Sequence, residues 1–179
     1  MAQENWPVWA TEAVIIEDYN SAWPEIAARL IAELANLYPF DPHLVEHIGS
    51  TSVPGLSAKP IIDLIIPIVN FDSIEAIVDE LRPANWNLIP PELDGRDYRR
   101  TFVKVVNNKR FAHLHLVLAN SKELKQHTDF RDILIRHPEL VEGYAQLKKK
   151  LAMLYKDDRE KYSDAKTDFI KAALARYLS

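Results

Sequence analysis

An α+β fold is what this sequence predicts: a mixed five-stranded sheet with helices packed on it and a helical C-terminal segment. Three observations carry that prediction. The runs "IIDLIIPI" and "FAHLHLVLA" are short, apolar and bounded by turn residues, as buried strands are. Strand-like runs between residues 13 and 120 do not alternate with helices regularly enough for a doubly wound parallel sheet. Everything from Ser121 to Ser179 reads as helix.

Taken in order, Ala13 to Asp18 reads as a short strand. "NSAWPEIAARLIAELANLY" follows as a helix, with Asn20 or Ser21 as cap, Pro24 in the first turn, and Ile26, Leu30, Leu34 and Leu37 as its apolar stripe. A "PFDP" turn leads to a strand ending near Ile48. The loop from Gly49 to Pro60 then delivers "IIDLIIPI", making a hairpin-like unit with a long connection. "FDSIEAIVDELR" is a short amphipathic helix, "WNLI" a short strand, and "PPELDGRDYRR" an arginine-bearing loop. "TFVKVV", the turn "NNKR" and "FAHLHLVLA" read as strand, turn and strand. The remainder is expected to form two or three helices, interrupted at His137-Pro138 and near Asp157-Asp158. Residues 1–179 are expected to form one domain, with the sheet core over 13–120 and the C-terminal helices over 121–179.

Composition narrows the function classes. With 47% hydrophobic and 27% charged residues among 179, the chain is an ordinary globular sequence able to bury a core without a staple. Cysteine is absent, which excludes disulfides, thiolate zinc sites and thiol nucleophiles. The start, "MAQENWPVWATEA", lacks the basic and apolar regions of a secretory signal. The longest apolar run, broken by Asp63 and Pro67, falls far short of the ~20 residues that span a bilayer, so a cytoplasmic protein without membrane partners is expected. A net charge of −4 argues against a general nucleic-acid binder. Charge is unevenly spread: residues 1–121 hold 9 basic against 16 acidic side chains, and residues 122–179 hold 13 against 10. The basic tail half suits either an anionic small substrate or solvated helix faces.

Strand alternation singles out the chemistry. In "IIDLIIPI", Ile62, Leu64, Ile66 and Ile68 share one face, leaving Asp63 on the other with Ile61 and Ile65. A carboxylate there must be paired, hydrogen-bonded or metal-bound. In "FAHLHLVL", Leu114, Leu116 and Leu118 face the core, and His113, His115 and Val117 lie opposite. The loop before Asp63 offers Gly49, Ser50, Thr51 and Ser52 as close-approach and donor groups, and Lys59 as a point charge for phosphate or carboxylate. It is not a Walker loop, which would read GxxxxGK[ST] before a helix. Tyr144 with Lys148, and Tyr162 with Lys166, repeat a spacing that puts each pair on one helix face; semi-buried tyrosines beside snorkelling lysines would have the same spacing. Arg96, Arg99, Arg100, Glu46 and His47 are weaker candidates.

"HIGSTSVPGLSAKPIIDL", "HLHLVL", "DFRDILIRHPE", "YAQLKKKLA" and "YSDAKTDFI" resemble the GrpB family, over about Val14 to Leu174. That group is classed with the nucleotidyltransferase, polymerase-β-like superfamily. The resemblance implies a Gly-Ser pair followed by an Asp-x-Asp or Asp-x-Glu strand that binds magnesium. Gly49-Ser50 and Asp63 match, with 12 residues between Ser50 and Asp63, but Ile65 stands where the second carboxylate would be. Nucleotidyl transfer uses two metal ions about 3.5–4 Å apart, and one aspartate does not readily hold both. By the same resemblance the superfamily's third carboxylate corresponds to the His113/His115 strand, where imidazole suits zinc or manganese better than magnesium. The resemblance includes Arg131, Tyr144, Lys148, Tyr162 and Lys166 as further substrate-binding residues. It implies a nucleotide or phosphorylated small molecule held by these residues with Gly49, Ser50, Thr51 and Lys59. Asp63 would act as catalytic base or metal ligand, with His113 and His115 as further ligands to Mg²⁺, Mn²⁺ or Zn²⁺. Two other readings stay open: a non-catalytic nucleotide-sensing module, and a His/Asp metal-dependent hydrolase.

Overall fold

The computed structural model describes residues 7–178; residues 1–6, which belong to the start read above for a signal segment, lie outside the described residues with residue 179. Five strands form one sheet in the order β1-β2-β5-β4-β3: β1 is Glu46–Ile48, β2 Ile62–Ile68, β3 Trp86–Leu88, β4 Arg99–Val106 and β5 Lys109–Leu118. Only β2 and β5 are parallel; β1 with β2, β3 with β4, and β4 with β5 run antiparallel, so the sheet is mixed as expected. The β4–β5 hairpin closes through Asn107 and Asn108, both at positive φ (51 and 57), with Val106 opposite Lys109. Asparagine tolerates that left-handed geometry, which matches the twist of the strands it joins.

One sheet face carries the main core. Ile62, Leu64 and Ile66 of β2, Leu114 and Leu116 of β5, and Phe102 of β4 pack against Trp23, Ala27, Leu30 and Leu34 of α1 (Trp23–Leu37) and Ile77 and Leu81 of α2 (Ile74–Leu81). Leu118, expected with them, is half-buried at the end of its strand. Pro24 sits in the first turn of α1, and Asn20 Oδ1 accepts from Ala22 N just before it. The opposite face has a smaller apolar patch, Ile48, Ile65 and Val117, against which Leu124 of α4 (Lys122–Arg136) packs.

Three expectations are corrected. Ala13 to Asp18 forms no strand: Glu17 makes an isolated bridge with Ala58, while Val14 packs against Leu151, Ala152 and Tyr162. The arginine-bearing loop contains a one-turn helix, α3 (Pro91–Asp94), and its last two residues, Arg99 and Arg100, already belong to β4. The tail holds four helices rather than two or three: α4, α5 (Pro138–Leu154), α6 (Arg159–Asp164) and α7 (Thr167–Tyr177). The breaks fall where expected, because Pro138 restarts the helix after His137 and the Asp158 side chain caps α6 by accepting from Lys161 N at 3.0 Å. Among the described residues no helix is long and apolar enough to cross a membrane.

Leu114 is fully buried in the central strand. Leu114→Ala is expected to cost about 2–5 kcal/mol in a denaturant titration, because the surrounding core cannot close over the lost methyl groups.

Candidate functional site

Register assembles the polar face. The parallel β2–β5 pairing sets Asp63 opposite His113 and Ile65 opposite His115. Period-two alternation then points Asp63 and both imidazoles to the same side, away from the main core. His113 Nδ1 lies 2.9 Å from Asp63 Oδ1, and His115 Nε2 lies 3.5 Å from the same oxygen. Burial would raise the Asp63 carboxyl, but the neighbouring imidazoles, His113 first through its Nδ1 hydrogen bond, hold it well below the usual carboxylate range. His113 is pushed down to about 4, chiefly by burial. A neutral imidazole beside an ionised carboxylate donates from Nδ1, leaving a lone pair on Nε2, and that atom is buried with no hydrogen-bond partner among the described residues.

Gly49 is fixed by the same carboxylate. On β1's side Ile48 pairs with Asp63, and the chain leaves the strand through Gly49 at φ 72, ψ −174, a region essentially reserved for glycine. A Cβ on Gly49 would stand 2.6 Å from Asp63 Oδ2. The close approach read for this glycine is therefore made to Asp63 itself. Ser50–Ser52 continues as a 3₁₀ turn, in which Thr51 is buried with its hydroxyl 2.8 Å from His47 Nε2. Burial pushes His47 down to about 4.

A cleft of about 780 Å³ opens over this face and is lined by Ser50, Lys59, Asp63, His115, Lys148 and Lys166 among others. Lys148 of α5 is buried, donates to the Ser57 carbonyl, and has its ammonium 5.0 Å from the Tyr144 ring centroid. Lys59 and Lys166 are half-buried, with ammoniums 5.3 and 4.4 Å from the Tyr162 ring centroid. Both tyrosines are buried, which raises their phenols. Lysine ion pairs among the described residues involve Lys104, Lys125, Lys149 and Lys161, so the three cleft lysines have no carboxylate within 4.0 Å. Burial, followed by the neighbouring cations Lys166 and Arg159, brings Lys59 down to about 7; burial, with Lys166 and Lys59, brings Lys148 to about 6; burial brings Lys166 to about 8. Arg131 also lines the cleft, but its guanidinium is tied to Glu46 (2.8 Å), Asp132 (2.7 Å) and the His47 carbonyl.

Three site residues escaped sequence reading. Asp94, at the end of α3, accepts from the Arg99 guanidinium at 2.5 and 2.9 Å and from the Thr101 hydroxyl at 3.1 Å. Thr101 in turn lies 3.1 Å from His115 Nδ1, and His127 of α4 stacks on His115 at 6.3 Å between centroids, 7° from parallel. Only the Asp94-Gly95 pair left a local signal: Gly95, at φ 64, ends the turn that positions the carboxylate.

These donors fit one metal better than two. Asp63, His113 and His115 each offer a ligand atom within 4.8 Å of the others, and the orphaned His113 Nε2 adds spare donor capacity. One carboxylate with two imidazoles suits zinc or manganese; magnesium asks for oxygen ligands, and the nearby Asp94 is already spent on Arg99 and Thr101.

Gly49→Ala is expected to lose at least about 1–3 kcal/mol from backbone strain and to displace Asp63 as well, whereas Gly55→Ala, at φ 78 with nothing near its Cβ, meets only the strain. Paired denaturant melts check the difference. The lysines give a pH signature. Their folded-state values of about 6 to 8 lie below the ordinary 10.5, so between those limits the unfolded chain binds more protons than the folded one. Stability of the ligand-free protein is therefore expected to rise from pH 6 to pH 9, read as the denaturation midpoint.

The GrpB protein family model matches residues 13–176. UPF0157 protein YqkA of Bacillus subtilis is 32% identical over 155 residues, covering 87% of this chain but 44% of that protein, so the chain spans less than half the length of this relative. Glutamate-rich protein GrpB of Alkalihalophilus pseudofirmus is 27% identical over 163 residues, 90% of this chain and 94% of that protein. Among solved structures, the crystal structure of conserved protein GrpB from Enterococcus faecalis superposes with a TM-score of 0.78 at 31% identity, covering 92% of this chain and 100% of that one. With a family model running through every element from the Glu17 bridge to α7, and a like-folded relative of matching extent, the chain belongs to the GrpB family.

Proposed function

We propose that the cleft binds a phosphorylated small molecule, a nucleotide or other phosphometabolite, against Lys59, Lys148 and Lys166, beside a single divalent ion at Asp63. The observation that carries this reading is three lysines sharing one cleft without a carboxylate partner among the described residues. Cations so placed repel one another and lose protons; a phosphate among them supplies the missing charge through charge-assisted hydrogen bonds. The Ser50 turn and Gly49 border the same cleft and add short-reach donors.

The ion, when bound, supplies Lewis-acid stabilisation of phosphoryl oxygens. The chain's own groups hold and orient: the lysines fix the phosphate, and the recessed site strengthens each charge contact relative to bulk water. Asp63 and His113 titrate far below neutral pH, so any proton transfer near neutrality falls to the cleft lysines, brought by burial to about 6 to 8. Buried Ile65, standing two residues beyond Asp63, favours a second reading, a nucleotide-sensing module without turnover.

Thermal-shift screening of nucleotides, phosphometabolites and inorganic pyrophosphate, with and without Mn²⁺ or Zn²⁺, tests the proposal. A ligand at a hundred times its Kd is expected to add ~2.7 kcal/mol, and no stabilisation by any phosphorylated compound contradicts it. Pyrophosphate release from nucleoside triphosphates would assign an enzyme; binding without release would assign a sensor. Lys59→Ala is expected to weaken pyrophosphate binding about 10- to 100-fold with the fold intact. Because the bound anion favours charged lysines, binding takes up protons, and affinity is expected to fall from pH 6.5 to pH 9 in calorimetric titrations.

A further inference from the structure

Thr101 and Asp94 also line the cleft, and they form a chain that ends on His115. Asp94 is bound by both Arg99 nitrogens and has only lone pairs to offer, so the single proton of the Thr101 hydroxyl goes to Asp94 Oδ2. The hydroxyl oxygen is then left to accept, and its other neighbour at 3.1 Å is His115 Nδ1. That nitrogen must carry the ring proton. A singly protonated His115 therefore presents a bare lone pair at Nε2, 3.5 Å from Asp63 Oδ1.

Two lone pairs facing each other repel unless a cation lies between them. The 3.5 Å gap is long for an N–H···O bond, whose mode is about 2.9–3.0 Å. It is close to the ~3.4 Å edge of a tetrahedron with metal–ligand bonds of ~2.1 Å, the zinc values for imidazole and carboxylate. The His127 ring lies nearly parallel to His115, 7° apart at 6.3 Å between centroids, and Thr101 is itself buried.

We infer that Asp94 and Thr101 are positioning residues that hold His115 with its proton on Nδ1, so that His115 Nε2 and Asp63 Oδ1 together seat one zinc-class divalent cation. His113 belongs to the same three-residue set, in which one nitrogen or oxygen of each residue lies within 4.8 Å of the others; ligation through its Nδ1 would replace the hydrogen bond it makes to Asp63. A carboxylate–hydroxyl–imidazole chain thus orients the ligand from behind, as outer-shell partners do at other histidine metal sites. This inference rests on the proposed cation at Asp63 and not on the lysine wall.

The test uses the full chain and Zn²⁺ itself. Zinc affinity is read by competition with a chromophoric chelator, and Co²⁺ substitution by visible absorption. The wild type is expected to bind one Zn²⁺ and to give a tetrahedral nitrogen/oxygen cobalt spectrum. Thr101→Val is expected to lower zinc affinity about 10- to 100-fold, and Thr101→Ser, which keeps the hydroxyl, to restore it. Asp94→Asn provides an independent route to the same loss should the valine variant fail to fold. Nitrogen-15 NMR of His115 is expected to find the proton on Nδ1 in the wild type and a mixture of tautomers in Thr101→Val. Failure of the wild type to bind Zn²⁺, or wild-type affinity in Thr101→Val, overturns the inference. Metal-free titration with inorganic pyrophosphate reads the lysine wall separately: its failure would sink the phosphate reading and leave the zinc result standing.

Discussion

The polar face of the sheet is arranged around one carboxylate on an interior strand. Asp63 lies on β2 between Ile62 and Leu64, and the sheet tolerates its charge only because His113 answers it across the parallel pairing. That pairing is long-range: β2 and β5 are separated in sequence by α2, β3, α3 and β4, so the loop-closure entropy of the intervening chain opposes it. Gly49 belongs to the same constraint, since its missing Cβ is the space the Asp63 carboxylate occupies.

The two sheet faces divide the work. Leu64, Leu114, Leu116 and Phe102 bury one face against α1 and α2 and supply the stability. The other face carries Asp63 and the histidines, and the tail helices bring Lys148 and Lys166 over it instead of a second full core. Lysines recessed to that degree, with ammoniums near tyrosine rings in place of carboxylates, are a cost to the ligand-free fold. On the proposed reading, a phosphate bound among them brings the compensating charge.

Period-two alternation in "IIDLIIPI" and "FAHLHLVL" was sufficient to place Asp63, His113 and His115 on one face, because strand geometry leaves only two sides to choose between. The helix over Trp23–Leu37 and the break at Pro138 were equally legible from local chemistry. Ala13 to Asp18 misled because Val14 and Ile16 alternate as a strand would, while the contacts that bury Val14 come from the distant α5 and α6, and among the described residues the only ladder partner is Ala58, bridged to Glu17. Lys148 was readable as a snorkelling surface lysine, but it is buried and donates to the loop carbonyl of Ser57, 91 residues away, a contact local spacing does not carry. Thr101 and His127 meet His115 from β4 and α4, and Asp94 of α3 bonds Thr101, a convergence of elements that no local pattern in the sequence encodes.

Asp63→Asn keeps the side chain's shape and its ability to accept from His113 while removing its charge, so it separates a carboxylate held for a ligand from one held for the fold. The decisive measurement is a denaturant melt of this variant beside calorimetric titrations with Zn²⁺ and with inorganic pyrophosphate. The account predicts an unchanged or higher midpoint, loss of Zn²⁺ binding, and pyrophosphate binding that no longer responds to the metal. A drop of a few kcal/mol, of the size seen when a buried ion pair loses one partner, together with an unaltered Zn²⁺ titration would contradict it.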